Sequence, residues 1–256
     1  MHTPQCPEML GMRFFIWKLC AWAGPLYLVG LIFFWGILGN NIPAPRQYWS
    51  ADEVVEFFLS NNIQIRIGMV GTLFVAPFYF VWSQAISAVM REIEGPDGFL
   101  APLENVGGIA TAFVTLGFAL MWLTASVRTE LRSPQDIQLL LDLGWHIFDM
   151  TIMVTLIQMC AVGGAILMDR RPQPLFPTWL GWLSFAAAST FLTAFLMPFF
   201  QDGPFAWHGL VTYWLVLNAF FIWMVFMCYY LFSAIDKVRQ EKVFHENVRP
   251  GKEVLA

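Results

Sequence analysis

His146 and Asp149 lie three residues apart near the start of an apolar run, Leu143 to Met168, with the sequence LGWHIFDMTIMVTLIQMCAVGGAILM. A spacing of three puts both side chains on one helical face. A hydrocarbon core is crossed by roughly 20 apolar residues, and an ionisable group inside one costs about 2.5 to 3.5 kcal/mol on insertion scales. A submerged Asp149 must therefore take up a proton or find a cation. Arg66 heads another apolar run that enters from the same side and is the cation placed to compensate it, while His208 sits at like depth at the head of a third. Arg66, His146, Asp149 and His208 then form a polar cluster that either receives a ligand or only ties helices together. His146 and His208 on two helices also suit a haem or a copper ion, against the plainer reading in which membrane histidines hydrogen-bond neighbouring helices. A competing reading starts the span near Met150; Met150 to Met168 still gives 19 residues, and the His146 and Asp149 pair is then wet.

The elements that must position these residues follow from composition. Hydrophobic residues make up 58% of the 256 and charged ones only 12%, far from the roughly 45–50% and 25% of soluble domains. The apolar residues come in blocks of twenty or more with charges confined between them, which is the punctuation of a membrane protein. No basic run or aromatic–basic interleaving occurs, so nucleic acid is excluded as a partner. Cys6, Cys20, Cys160 and Cys228 fall one per segment with no CxxC spacing, which suggests neither a disulfide framework nor a zinc site. The run beginning near Phe14 lacks a small-x-small exit before Asn40, so the first span reads as retained and not as a cleaved signal.

The expected fold is an all-α membrane protein, a six-transmembrane-helix bundle with spans at about 14–38, 65–89, 103–127, 143–168, 178–198 and 205–235. Residues 1–235 form a single transmembrane domain and 236–256 a charged cytoplasmic tail, a solvated helix that frays. Ser50 and Glu53 make a capping box that opens a short amphipathic helix between the first two spans, with Val54, Phe57 and Phe58 among Asp52, Glu53 and Glu56. Ser133 and Pro134 begin a second short helix leading into the fourth span. Ten Lys and Arg fall on the side of the N-terminus, the second and fourth connections and the tail, against four on the other side, Arg46, Arg66, Arg128 and Arg132. Positive-inside bias puts both termini in the cytoplasm.

Several chemistries are excluded: there is no HExxH, no GxSxG, no Walker phosphate loop, no aspartate-rich prenyltransferase pair and no mid-span lysine for a retinal Schiff base. Gln84, Gln158 and Asn218 read as interhelical glue. The phrases VVEFFLSNNIQIRIGMV, DRRPQPLFPTWLGW and GPFAWHGLVTYW resemble those of an uncharacterised family of bacterial multi-pass integral membrane proteins, over about Trp49 to Ile235. The resemblance implies a bacterial cell inner membrane and no assigned activity, and it carries over no catalytic residue. In that family the position of His208 need not be histidine, which weakens the metal reading. The expected function is binding or passage of an apolar small molecule, or an accessory role beside a transporter or membrane enzyme, on the strength of an aromatic and Met-rich sixth span. The alternative is a small intramembrane enzyme, haem- or metal-dependent, using His146, Asp149 and His208. No cofactor is expected on the first reading. The partners expected are the lipid bilayer, a hydrophobic small molecule, and a protein partner or a second copy of the chain.

Overall fold

The computed structural model describes residues 7–248; Cys6 and the last eight residues of the charged tail, with Arg249 and Lys252, lie outside them. The chain is helical throughout, and six segments are long and apolar enough to cross a membrane: Met9–Leu38, Asn62–Glu94, Leu100–Ser126, Pro134–Met168, Thr178–Phe199 and Leu210–Phe244. Large apolar side chains such as Phe15, Trp22, Phe74, Phe113 and Tyr229 point outward. That surface is what a bilayer, with no water to favour polar groups, requires.

Helix α1 (Pro7–Gly30) absorbs Pro25 and continues as π-helical turns over Leu31–Leu38, where the Gly39 N–H donates five residues back to Phe34 O at 2.8 Å. The capping box forms as read: Ser50 N–H donates to Glu53 Oε2 (2.7 Å) and Glu53 N–H to Ser50 Oγ (3.4 Å), opening α2 (Ala51–Ser60). Those bonds favour the ionised Glu53, whose pKa lies below the usual carboxylate value. Helix α2 buries Val54 and Phe58 and packs mainly on α5.

Helix α3 (Asn62–Glu94) ends at Gly95, whose φ of 86° is the left-handed region glycine tolerates. The Glu94 carboxylate reaches over that turn to accept Leu100 N–H (3.2 Å) and Ala101 N–H (3.0 Å), so one helix caps the next, α4 (Leu100–Ser126). Ser133 caps α5 (Pro134–Met150) with Pro at its first turn. The expected short helix and the start of the fourth span are thus one helix, and the real interruption comes later. Thr151 and Ile152 separate α5 from α6 (Met153–Met168), two residues past Asp149. Helix α7 (Thr178–Phe191) tightens to 3-10 turns over Leu192–Phe199. The sixth span starts at Leu210, not near 205, as π turns to Leu215 and then α8 (Val216–Val248).

Helix α4 is central, packed on α3, α5 and α6; α1 lies against α3 and α8, and α7 against α6 and α8. At the end where α1 begins, ion pairs lace four segments together. Glu92 takes both Arg13 and Lys242 at 2.7 Å, Lys18 meets Asp236 at 2.6 Å, and Arg171 reaches Glu241 at 3.6 Å. The opposite end is closed by the connections at 39–50 and 200–209. There the Trp207 indole N–H donates to Pro45 O (2.7 Å), the Gln47 side chain accepts Trp207 N–H (3.0 Å), and the Tyr213 hydroxyl donates to Asn41 O.

Candidate functional site

Four of the six spans leave regular α geometry around one cavity between the helices. Its wall includes Leu31 from the π turns of the first span, Asp149 and Ile152 at the break in the fourth, Phe191 where the fifth tightens, and Thr212 and Tyr213 from the π turns of the sixth. π turns are rare and concentrate at functional sites. Backbone irregular at membrane depth is tolerated where it borders a cavity. The cavity measures about 70 Å³, several times the roughly 10 to 15 Å³ one water needs on the same measure.

Asp149 is 3% exposed, buried among the helices. Its Oδ2 is buried without a hydrogen-bond partner, and no ion pair reaches it among the described residues. The rest of the wall is apolar save for hydroxyls. Tyr27 and Thr115 share a hydrogen bond at 3.0 Å and Thr111 and Thr155 another at 2.8 Å, which leaves Asp149 as the one unmatched polar group. Behind it stand close-packed rings. Phe148 stacks on Trp35 (5.3 Å) and meets Phe118 and Trp145 edge-on, while Trp145 stacks on Trp207 (5.8 Å) beneath the lid.

The other three residues of the expected cluster are held elsewhere. Arg66 does not compensate Asp149: its guanidinium donates to Ser126 O through Nε (3.2 Å) and Nη2 (2.7 Å), capping the last turn of α4. The free carbonyls at a helix end compete well for an arginine near the interface, and no sequence signal separates that partner from a carboxylate. His146 Nδ1 lies 2.7 Å from Asp142 O, one turn back on its own helix. His208 belongs to the lid, where its Nδ1 accepts Gln47 N–H (3.1 Å) and its Nε2 faces Asp202 at 3.4 Å. Burial pushes the His208 imidazole below its ordinary value, with Asp202 pulling the other way. None of the three lines the cavity, and His146 and His208 each bond elsewhere. No group of three or more His, Cys, Asp or Glu side chains converges among those residues either.

Of Gln84, Gln158 and Asn218, only Gln158 is seen bonding across helices; Gln84 is exposed, and Asn218 bonds back to Trp214 O in its own span. The sixth span contributes Phe220 and Phe221 to the cavity, whereas Met224 and Met227 are packed away in the core. One site escaped the sequence reading. Glu104, which in sequence is just an acid at the start of the third span, is fully buried and bonded to Ser83, Ser87 and Gln158. A signal existed in the serines one turn apart on α3 and the Gly107–Gly108 pair one turn beyond Glu104. Comparison with family models, with curated proteins and with solved structures finds no match for this chain, and what it is similar to extends to the class that its six apolar helices define, the multi-pass membrane proteins.

Proposed function

We propose that this membrane protein binds a small, mainly apolar molecule carrying one hydrogen-bond donor or amine, in the cavity beside Asp149. The observation that carries the reading is the unmatched Asp149 oxygen in an otherwise apolar, hydroxyl-dotted wall. A buried acceptor without a partner costs about 1 to 3 kcal/mol; a ligand donor that reaches it recovers that term, and the aromatic wall takes the apolar remainder. The discontinuous fourth span supports passage as well as binding, since broken helices mark the sites of many transporters.

The protein sits in a bacterial inner membrane with both termini cytoplasmic and α2 along the opposite membrane surface. The charge asymmetry of the connections supports that orientation. Reporter fusions after Val248 and beside Arg132 test it, and a periplasmic tail would reverse it. For the ligand, native mass spectrometry of the detergent-purified protein should find a bound small molecule in the natural chain and none in Thr115→Phe, whose ring fills the cavity. An unliganded natural chain that binds neither dodecylamine nor dodecanol, or that binds dodecane as well as either, refutes the proposal.

A further inference from the structure

A second buried acid lies apart from the cavity, and its hydrogen bonds can be counted proton by proton. Glu104 is 0% exposed, about 6 Å along α4 from Leu100. Its Oε1 accepts Ser83 O–H (2.8 Å) and the Gln158 side-chain N–H (2.9 Å). Its Oε2 lies 2.5 Å from Ser87 Oγ, and that same Oγ lies 2.7 Å from Ala101 O. Two oxygens that are both acceptors when Glu104 is ionised thus flank one hydroxyl, which owns a single proton. If the Ser87 proton lies toward Ala101 O, the short contact to Glu104 is a hydrogen bond only when Oε2 itself carries a proton.

We propose that Glu104 is a proton-binding site, held as the neutral acid with Oε2–H donating to Ser87 and Ser87 donating to Ala101. The exchange is a simple proton transfer. When the Oε2 proton leaves to water, the Ser87 hydroxyl turns from Ala101 O to Oε2, and the carboxylate then accepts from Ser83, Ser87 and Gln158. Both states are fully hydrogen-bonded, so a one-bond rotation of Ser87 is the only rearrangement needed. Gly107 and Gly108 permit the close packing: a Cβ at Gly107 would meet Gln158 Cβ at 2.7 Å, and one at Gly108 would run into Ser83 Oγ.

The groups facing Glu104 agree with a neutral acid. From α3 come Ser83, Ser87 and, through Gln158, Tyr79; from α6 comes Gln158; Glu94 caps the head of α4 at Leu100 and Ala101. No Lys, Arg or His bonds to it among the described residues. The site also points toward the cavity. Tyr79 O–H donates to Gln158 Oε1 at 2.9 Å, its ring lies 4.9 Å from that of Tyr27, and Tyr27 lines the cavity with Thr115. Buried acids in such chains are what proton relays in membranes are made of.

Infrared spectroscopy of the ligand-free protein in lipid nanodiscs tests this independently of any cavity ligand. Protein made with isotopically carboxyl-labelled glutamate should show, at neutral pH, one protonated-carboxyl C=O band that moves with the label. The band should be absent in Glu104→Gln, whose amide reproduces both the donor and the acceptors, and it should shift within minutes in heavy water. The labelled natural chain decides the matter alone if the variant misfolds. Absence of a label-sensitive band means an ionised Glu104 and overturns the proposal. A band unmoved after days in heavy water means a sealed structural acid and overturns it equally.

Discussion

Replacing Asp149 by leucine should stabilise the protein while abolishing its binding. The residue is 3% exposed, and among the described residues Oδ2 has no hydrogen-bond partner and no cation pairs with it. Leucine is close in size, and the adjoining cavity of about 70 Å³ gives it room to choose a rotamer. Removing an unsatisfied buried polar group relieves about 1 to 3 kcal/mol. At roughly 2 to 4 °C per kcal/mol for a domain of this size, unfolding in detergent, followed by tryptophan emission, should move up by about 2 to 12 °C. Asp149→Asn should gain less, because its amide remains a buried polar group and brings two donors that must also be satisfied. A residue kept at a cost in stability is kept for something else, the usual signature of a working site. A Tm for Asp149→Leu that falls clearly below that of the natural chain would show Asp149 to be structurally satisfied, and the cavity reading would go with it.

Three further outcomes follow from the same geometry. Arg66→Ala and Asp149→Ala should be additive within about 0.5 kcal/mol in a double-mutant cycle, because Arg66 serves Ser126 O instead; a coupling of about 3 kcal/mol or more, as in a buried ion pair, refutes that assignment. Gly108→Val should cost about 1 to 3 kcal/mol by overpacking α4 against Ser83, and an unchanged melting temperature would refute the close approach. Acid should loosen the lid: a lowered imidazole pKa means that the folded chain binds fewer protons than the unfolded one. The stability contributed by His208 is therefore full above its ordinary value of 6.5 and is lost as pH falls below it. A protonated Nδ1 can no longer accept Gln47 N–H, so the protection of that amide relative to its intrinsic exchange rate, read by hydrogen-exchange mass spectrometry, should fall below pH 6.5, and His208→Gln should remove that pH dependence.

The six spans were legible because each is a long apolar block with charges at its ends, a signal that needs no tertiary information. So were the Ser50–Glu53 box and the Ser133–Pro134 start, since caps are local chemistry. The burial of Asp149 could be posed but not decided, because it turns on where α5 sits against Trp35, Phe118 and Tyr213, none of them near in sequence. Arg66 was assigned to the wrong oxygen for the same reason: a carbonyl at residue 126 carries no mark in the sequence. The π turns at 31–38 and 210–215 follow no rule of local sequence. Glu104 was hidden by its place at a helix head, where acids are common for their effect on the macrodipole.

The two ends of the bundle are mechanically unlike. At one, Glu92 clasps Arg13 from α1 and Lys242 from α8, and Arg171 braces the fourth connection against both Glu92 O and Glu241, so the helix feet there are fixed like piles in a common footing. At the other, four of the six spans pass into π or 3-10 turns or are interrupted, and the connections rest on hydrogen bonds and a stacked pair of tryptophans. Bending such a bundle moves its free tips and leaves its roots in place. On the proposed binding, a ligand is expected to enter from the lid side, where hydrogen bonds and ring stacking hold the connections, while the opposite end, where any sideways step must first break ion pairs, serves as the floor.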